Sequence, residues 1–270
     1  MSTLILKSPA KINIYLKVLK KRSDGYHELE SAFQLINLYD ELEASITKSE
    51  EIRIECSPNT IKLEENIILK AVQLVKSKYK VKQGIYIKLK KEIPIGAGLG
   101  GGSSNAASAL LALNNLWGLE ISQTNLLKLG KDLGADVPFF LNGKNAYVSG
   151  IGDKLKEKKS DNSKYILIYP NIIASTKKVF EFYSNNKKFM EDDNLQNSLL
   201  KPLLSMYPEI KSFYNKNISS FDIKLTGSGS TMFISYKDEG ELEKIMEIIP
   251  INWRFFLAEA IQYSPLRGMS

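Results

Sequence analysis

Pro94-Ile95-Gly96-Ala97-Gly98-Leu99-Gly100-Gly101-Gly102-Ser103-Ser104-Asn105 is the stretch from which the rest of this chain is read. Five glycines within seven residues leave a loop with almost no side-chain wall, and an alanine-rich helical pattern over residues 106–116 follows. Glycine lets backbone N–H groups turn toward a ligand in conformations that other residues avoid. The first turn of the next helix adds unpaired N–H groups and the positive end of its dipole. Together these features make a seat for phosphate. A purely structural turn is the alternative; a flexible linker would not be framed by a proline and a strongly apolar helix. Gly96, Gly98 and Gly101 satisfy the loose dinucleotide pattern, but Lys88, Lys90, Lys91 and Glu92 make the preceding strand one-sided. The Gly-Lys-Ser/Thr ending of a P-loop is absent, as are the His-Arg-Asp and Asp-Phe-Gly motifs of protein kinases.

A chain of 270 residues accommodates one large or two modest domains. Hydrophobic content of 43% and charged content of 25% are those of a globular protein with a proper core. Cys56 stands alone, which rules out an internal disulfide and fits a reducing compartment. No apolar run has the length of a membrane span, and the N-terminus lacks a signal-peptide core, so a cytoplasmic location without membrane partners is expected. The net charge of +7 is carried mostly by lysine, with clusters at residues 17–22 and 154–159. No basic stripe with interleaved aromatics accompanies them, so solvated lysine faces are favoured over nucleic-acid binding. A mild positive potential would still gather anionic substrates. A monomer and a homodimer are both compatible with this composition.

Alternation of Leu4, Leu6, Ile12, Ile14, Leu16 and Val18 predicts extended chain over residues 3–19. A turn at Arg22-Ser23-Asp24-Gly25 leads to Tyr26-His27-Glu28-Leu29 and a run over residues 33–38. Residues 52–55 read as a short strand, and Asn66 as the cap of a helix carrying Ile68, Leu69, Val72, Leu74 and Val75. Ile85, Ile87 and Leu89 form the inward face of the strand that feeds the glycine loop. Gly118 is placed to stop the loop's helix, and Ser122 and Gly134 bound the next. A turn over residues 135–140 and a strand over 146–149 follow. Residues 156–163 are charged and polar and mark the expected domain joint. Beyond it lie a strand at 165–169, helices near 176–184 and 197–204, and a strand at 223–226. A glycine-serine turn, a strand at 232–236, a helix at 239–248 and a strand at 253–260 complete a mixed α+β order.

Two charged residues stand out beside the phosphate seat. Lys11, in Ser8-Pro9-Ala10-Lys11-Ile12-Asn13, is placed inward or at the sheet's end, and Asp136 lies between Gly134 and Pro138. Each alone reads as ordinary: one lysine among many, one aspartate starting a turn. As a pair beside a phosphate cradle they would have a task. The lysine would steady an ionised carboxylate and the charge on a transferring phosphoryl group, and the carboxylate would accept a hydroxyl proton. Phosphoryl transfer needs mostly positioning and charge stabilisation, so few special residues suffice.

Pro9-Ala10-Lys11-Ile12-Asn13, the loop at residues 94–104, and Leu225-Thr226-Gly227-Ser228-Gly229-Ser230-Thr231 resemble the three ordered motifs of the GHMP small-molecule kinases. Asp24-Gly25-Tyr26-His27-Glu28-Leu29 and Leu133-Gly134-Ala135-Asp136-Val137-Pro138-Phe139 are similar to the 4-diphosphocytidyl-2-C-methyl-D-erythritol kinase branch of that superfamily. The resemblance covers nearly the whole chain. It implies an α+β fold in two domains: residues 1–158 like the second domain of ribosomal protein S5 and residues 159–270 ferredoxin-like, with the cleft between them. The implied reaction is transfer of the γ-phosphoryl group of ATP, with Mg2+, to the 2-hydroxyl of the cytidine-diphosphate-linked alcohol, in non-mevalonate isoprenoid biosynthesis. A homoserine- or mevalonate-type kinase and a catalytically silent nucleotide-binding relative are the alternatives.

The same resemblance implies residue roles. Lys11 and Asp136 become the catalytic pair. Pro94, Ile95, Gly96, Ala97, Gly98, Leu99, Gly100, Gly101, Gly102, Ser103 and Ser104 would hold the ATP phosphates, with Ser103 or Ser104 near the metal and Asn66 and Ile67 on the adenine side. His27, the only histidine, would read the cytosine edge, since a neutral imidazole offers one donor and one acceptor. Its bland alternative is a surface or half-buried ring after a turn. Tyr26 would stack on the pyrimidine and Phe180 would form the other wall, while Asn13, Phe33 and Thr176 join the substrate side. Core packing is a rival role for Phe180 and Phe33. The turn at residues 226–231 is either a plain hairpin loop or a support for the site. One departure is visible: relatives commonly carry Asn-Asp-Leu-Glu where this chain has Asn197-Ser198-Leu199-Leu200, so two acids are missing.

Overall fold

Long apolar alternation draws the start of the chain into two extended strands. The computed structural model describes residues 2–22, 27–58, 66–152, 154–160, 162–186, 189 and 196–269. Strand β1 (Thr3–Lys21) and strand β2 (His27–Ile46) run antiparallel along almost their whole length. The opposite edge of β2 is shared: its C-terminal half pairs with β4 (Ile85–Lys90), and its N-terminal half with β5 (Ala146–Gly150). β3 (Ile52–Ser57) and β6 (Lys154–Glu157) close the two wings of this six-stranded sheet. Of the turn expected at Arg22-Ser23-Asp24-Gly25, residues 23–25 lie outside the described residues, as does Tyr26.

Helices cover one face. In α1 (Ile67–Tyr79) the Asn66 side chain accepts from the Ile68 N–H at 2.9 Å, as its capping position predicts. Helix α2 starts at Gly101, inside the glycine run and earlier than the alanines at 106 suggest, and extends as Gly101–Leu116. Ala106, Ala107, Ala109 and Ala112 are all buried, so α2 is apolar nearly all round and sits inside the layer between β1 and its neighbouring helices. Ser122 and Gly134 do flank α3 (Gln123–Leu133), and the expected turn after it is a short helix, α4 (Val137–Asn142), entered through Pro138. These elements bury one large core around Leu35, Leu42, Ile87, Leu110, Phe139 and Phe140.

The second sheet is built from β7 (Lys164–Tyr169), β8 (Lys224–Leu225), β9 (Met232–Tyr236) and β10 (Arg254–Glu259), in the order β10-β7-β9-β8 and antiparallel throughout. Helices α5 (Thr176–Ser184), α6 (Leu200–Met206) and α7 (Pro208–Asn217) follow its first strand, and α8 (Glu239–Glu247) follows its third. Strand order fourth-first-third-second with helices in those gaps is the ferredoxin-like arrangement. Two helical expectations change. The segment at 197–199 precedes α6 instead of opening it, and α7 is an additional helix. Its apolar stripe is thin, with only Ile210 and Phe213 buried as apolar anchors, so Pro208 at its start and Glu209 in its first turn were the available signals.

The two sheets meet through a third cluster, in which Ala10, Ile12 and Ile36 pack against Tyr165, Leu167 and Phe233. Neither half is closed on itself. Leu16 and Val18 of β1 belong to the second sheet's core, and Leu266 of the C-terminal tail belongs to the first.

Asp40 fixes the joint between β4 and the glycine loop. Its fully buried carboxylate accepts from the Glu92 N–H at 2.8 Å, the Ile93 N–H at 2.9 Å and Asn105 Nδ2 at 2.9 Å, and pairs with the Lys91 ammonium. Removing one partner of a buried pair strands the other. Asp40→Ala should therefore lower the unfolding free energy by about 3–5 kcal/mol, read from denaturant titration; a change under about 1 kcal/mol would mean that the cluster contributes no net order.

Candidate active site

The glycine loop is built by alternation. Gly96, Gly98 and Gly100 have φ of 63°, 77° and 73°, while Ala97 and Leu99 between them are buried in the cluster that joins the sheets. Apolar side chains thus anchor the loop, and left-handed residues between them turn its backbone. Gly98 is obligatory for space as well: a Cβ there would stand 2.3 Å from the Thr226 carbonyl oxygen. At Gly102, in the first turn of α2, nothing lies within 4 Å of an added Cβ, so the backbone faces open space. An open, wall-less helix N-terminus is what a phosphate seat requires.

Lys11 is held beside this loop. Its backbone N–H donates to the Leu99 carbonyl at 3.0 Å. Its ammonium donates to Asn13 Oδ1 at 2.6 Å, stands 4.5 Å from the centre of the Phe33 ring, and lies 3.6 Å from Asp136 Oδ2. Lysine Nζ is almost fully buried, whereas the Asp136 side chain keeps 29% of its surface open. Burial pushes the Lys11 pKa below its ordinary value, and the nearby Asp136 charge and hydrogen bond act in the opposite direction.

A cavity of about 940 Å³ runs past this pair. Its lining includes the loop with Asn66 and Ile67, His27, and Thr176, Phe180, Glu181 and Ser184 of α5 with Asn185 at the helix's C-cap. Lys11, Asn13, Phe33 and Asp136 line it as well. Of the two serines, Ser103 faces the cavity; Ser104 does not line it, and its buried hydroxyl has no hydrogen-bond partner among the described residues. Phe33 serves both its readings, lining the cavity while packing edge-on against Phe139 at 5.1 Å. Phe180 is half-buried, with its ring 5.5 Å from that of His27.

Several groups escaped sequence reasoning because their partners are remote in the chain. Thr226 Oγ1 accepts from the Asn13 N–H at 3.0 Å and lies 3.2 Å from the Gly98 carbonyl as a donor, tying the second glycine turn to both strand and loop. Gly227 N–H donates to Asn13 Oδ1 at 2.9 Å. Ser31 receives the Asn13 amide N–H at 2.8 Å. Asn197, in the departing segment, donates to the Leu225 and Gly227 carbonyls at 3.0 and 2.9 Å. The glycine-serine turn was the one legible signal among these.

Comparison with known proteins bears on the same residues. A family model described as GHMP kinases N terminal domain matches residues 66–144. A 4-diphosphocytidyl-2-C-methyl-D-erythritol kinase from Pasteurella multocida is 35% identical over 97% of this chain and 91% of its own length. That of Hahella chejuensis is 37% identical, with 98% and 95% covered. A crystal structure of 4-(cytidine 5'-diphospho)-2C-methyl-D-erythritol kinase superposes with a TM-score of 0.81 at 29% identity, over 95% of this chain and 99% of that one. A mevalonate kinase crystal structure, with a TM-score of 0.73 at 17% identity over 96% and 99%, shares the fold.

The buried ammonium gives a measurable sign. The folded chain holds the Lys11 proton less tightly than the unfolded chain, so this group's contribution makes stability rise as pH climbs from the folded pKa toward 10.5. Asp136→Asn removes the opposing charge and should lower the Lys11 pKa further. NMR titration of labelled lysine Nζ resonances measures both values. A Lys11 titration at or above 10.5 in the unsubstituted protein would contradict the burial described here.

Proposed function

The chain belongs to the 4-diphosphocytidyl-2-C-methyl-D-erythritol kinase family of GHMP kinases, and we propose that it phosphorylates the 2-hydroxyl of that alcohol with ATP, a step of non-mevalonate isoprenoid biosynthesis. The observation that carries this reading is the Lys11–Asp136 pair, 3.6 Å apart in the wall of a cavity that the glycine loop also lines. Asp136 is the base: its carboxylate is open to the cavity and accepts the hydroxyl proton as the oxygen attacks. Lys11 stands beside that carboxylate and meets negative charge that develops on the transferring group. Backbone N–H groups of residues 96–104 seat the phosphates, with Asn66 and Ile67 on the adenine side.

ATP supplies the phosphoryl group, and Mg2+ offsets its charge when bound. The donor set fits a magnesium ion that is held mainly by substrate phosphates, since such sites need few protein ligands. Ser103, whose side chain lines the cavity, is the residue that would hold it, in preference to the buried Ser104. His27, Phe180 and Thr176 bind the cytidine and Asn13 and Phe33 shape the alcohol site, while the stacking role of Tyr26 rests on the resemblance alone. We place the division between the two domains after residue 158, between β6 and β7, and the enzyme in the cytoplasm, where ATP is supplied.

A coupled ADP-release assay across candidate alcohols tests this function, with the cytidine-diphosphate-linked alcohol expected to be turned over and homoserine and mevalonate not. Asp136→Ala should lower kcat by roughly 10²–10⁴-fold with ATP binding retained; unchanged turnover would remove Asp136 from the mechanism. His27→Ala should raise KM for the cytidine substrate by about tenfold and leave KM for ATP in place. Equal losses for both ligands would point to a folding defect instead.

A further inference from the structure

The end of α5 carries a contact that the proposed reaction does not use. Ser184 Oγ lies 2.8 Å from His27 Nε2 and 2.8 Å from the Phe180 carbonyl oxygen one turn back. A serine hydroxyl has one proton, and a carbonyl oxygen can only accept. With that proton committed to the Phe180 carbonyl, both contacts are hydrogen bonds only if His27 Nε2 carries a hydrogen and donates it to Ser184. In an uncharged imidazole the proton is then absent from Nδ1, which keeps an acceptor lone pair. The ring's tilt is also set, since Phe180 lies 5.5 Å and Tyr183 6.3 Å from its centroid, the latter edge-on.

We propose that Ser184 is a positioning residue that locks His27 in its Nε2–H tautomer, so that the ring offers an acceptor to an amino-bearing pyrimidine and rejects a carbonyl-bearing one. This rests on the reading of the cavity beside α5 as the cytidine site. Both Ser184 and His27 line that cavity. Cytosine presents an exocyclic amine at position 4, a donor that pairs with an Nδ1 lone pair. Uracil presents a carbonyl oxygen at the same place, and two acceptors facing each other leave both unpaired. Without the serine, the imidazole can move its proton to Nδ1 and accommodate either base. Ser184 thus acts on the choice of substrate through another residue and without touching the reacting atoms.

The chain's single histidine makes the test direct. In protein labelled with 15N-histidine, one pair of ring resonances reports which nitrogen carries the proton, and Nε2 is expected. Ser184→Ala should spread the proton over both nitrogens, and Ser184→Thr, which keeps the hydroxyl, should restore it to Nε2. In parallel, the ratio of kcat/KM for the cytidine-linked over the uridine-linked alcohol should fall by roughly tenfold in Ser184→Ala, return in Ser184→Thr, and leave KM for ATP unchanged. A proton on Nδ1 in the unsubstituted protein, or an unaltered preference in Ser184→Ala, overturns the proposal. If the proton sits on Nε2 but the cytidine-linked alcohol is not turned over at all, the substrate reading fails, and the claim about base choice falls with it while the tautomer lock stands.

Discussion

One buried amide holds the site together. Asn13 is fully buried, and its carboxamide oxygen takes the Lys11 ammonium and the Gly227 N–H while its NH2 group donates to Ser31. A buried amide left partly unpaired costs about 1–3 kcal/mol, so these partners specify one another's positions. The consequence for Lys11 is geometric. Its ammonium sits closer to a neutral amide oxygen, at 2.6 Å, than to the Asp136 carboxylate, at 3.6 Å. The carboxylate feels the positive charge without being clamped by it, and keeps an oxygen open to the cavity. A tight ion pair would hold both charges in place and hide the base. The amide allows the lysine to be fixed and the aspartate to remain available.

That amide also joins the two sheets across the site. Gly227 and Thr226 belong to the turn between β8 and β9, and Thr226 reaches the Gly98 carbonyl of the phosphate loop. Three elements that are distant in sequence therefore share one set of hydrogen bonds: the strand bearing Lys11, the glycine loop, and the second glycine turn. The loop is doubly restrained, by Ala97 and Leu99 in the apolar cluster and by Thr226 over Gly98. Its N–H groups are oriented before any ligand arrives. Catalysis by fixed dipoles depends on that, because donors already in place need no reorganisation as charge develops.

What the sequence disclosed and what it withheld follow from how far each interaction reaches. The Asn66 cap, the inward face of β4 and the turn at Gly118 are local, and each was readable from its neighbours. The glycine loop's unusual backbone was readable for the same reason, since glycines before a helix point to the positive φ found at Gly96, Gly98 and Gly100. Lys11 and Asp136 were not locally special; their charges beside a phosphate cradle and the resemblance of their surrounding motifs joined them, and both line one cavity in the structure. Ser184 gave no signal, because a hydroxyl has meaning only through a partner that folding supplies, and the partners of Thr226 and Asn197 were equally hidden although the motifs around them stood out. Helix α7 was overlooked because two buried apolar residues do not make a visible stripe.

The segment at residues 197–200 ties the second half of the chain to β1. Leu16 N–H donates to the Gln196 carbonyl and Ser198 N–H to the Leu16 carbonyl, each at 2.9 Å, so the segment lies beside β1 as a short parallel bridge. Ser198 Oγ accepts from the Val18 N–H at 3.1 Å, and Leu200 is buried in the core beneath the second sheet. The first position needs only a hydrogen-bond acceptor and the second only apolar bulk. A hydroxyl meets the first need without the desolvation that a carboxylate would incur in the same place. Leucine meets the second outright. Asn197, just before them, holds the carbonyls of Leu225 and Gly227, and through Gly227 it reaches Asn13. In this chain the segment works as a staple on the strand that carries Lys11, made of neutral hydrogen bonds and packing.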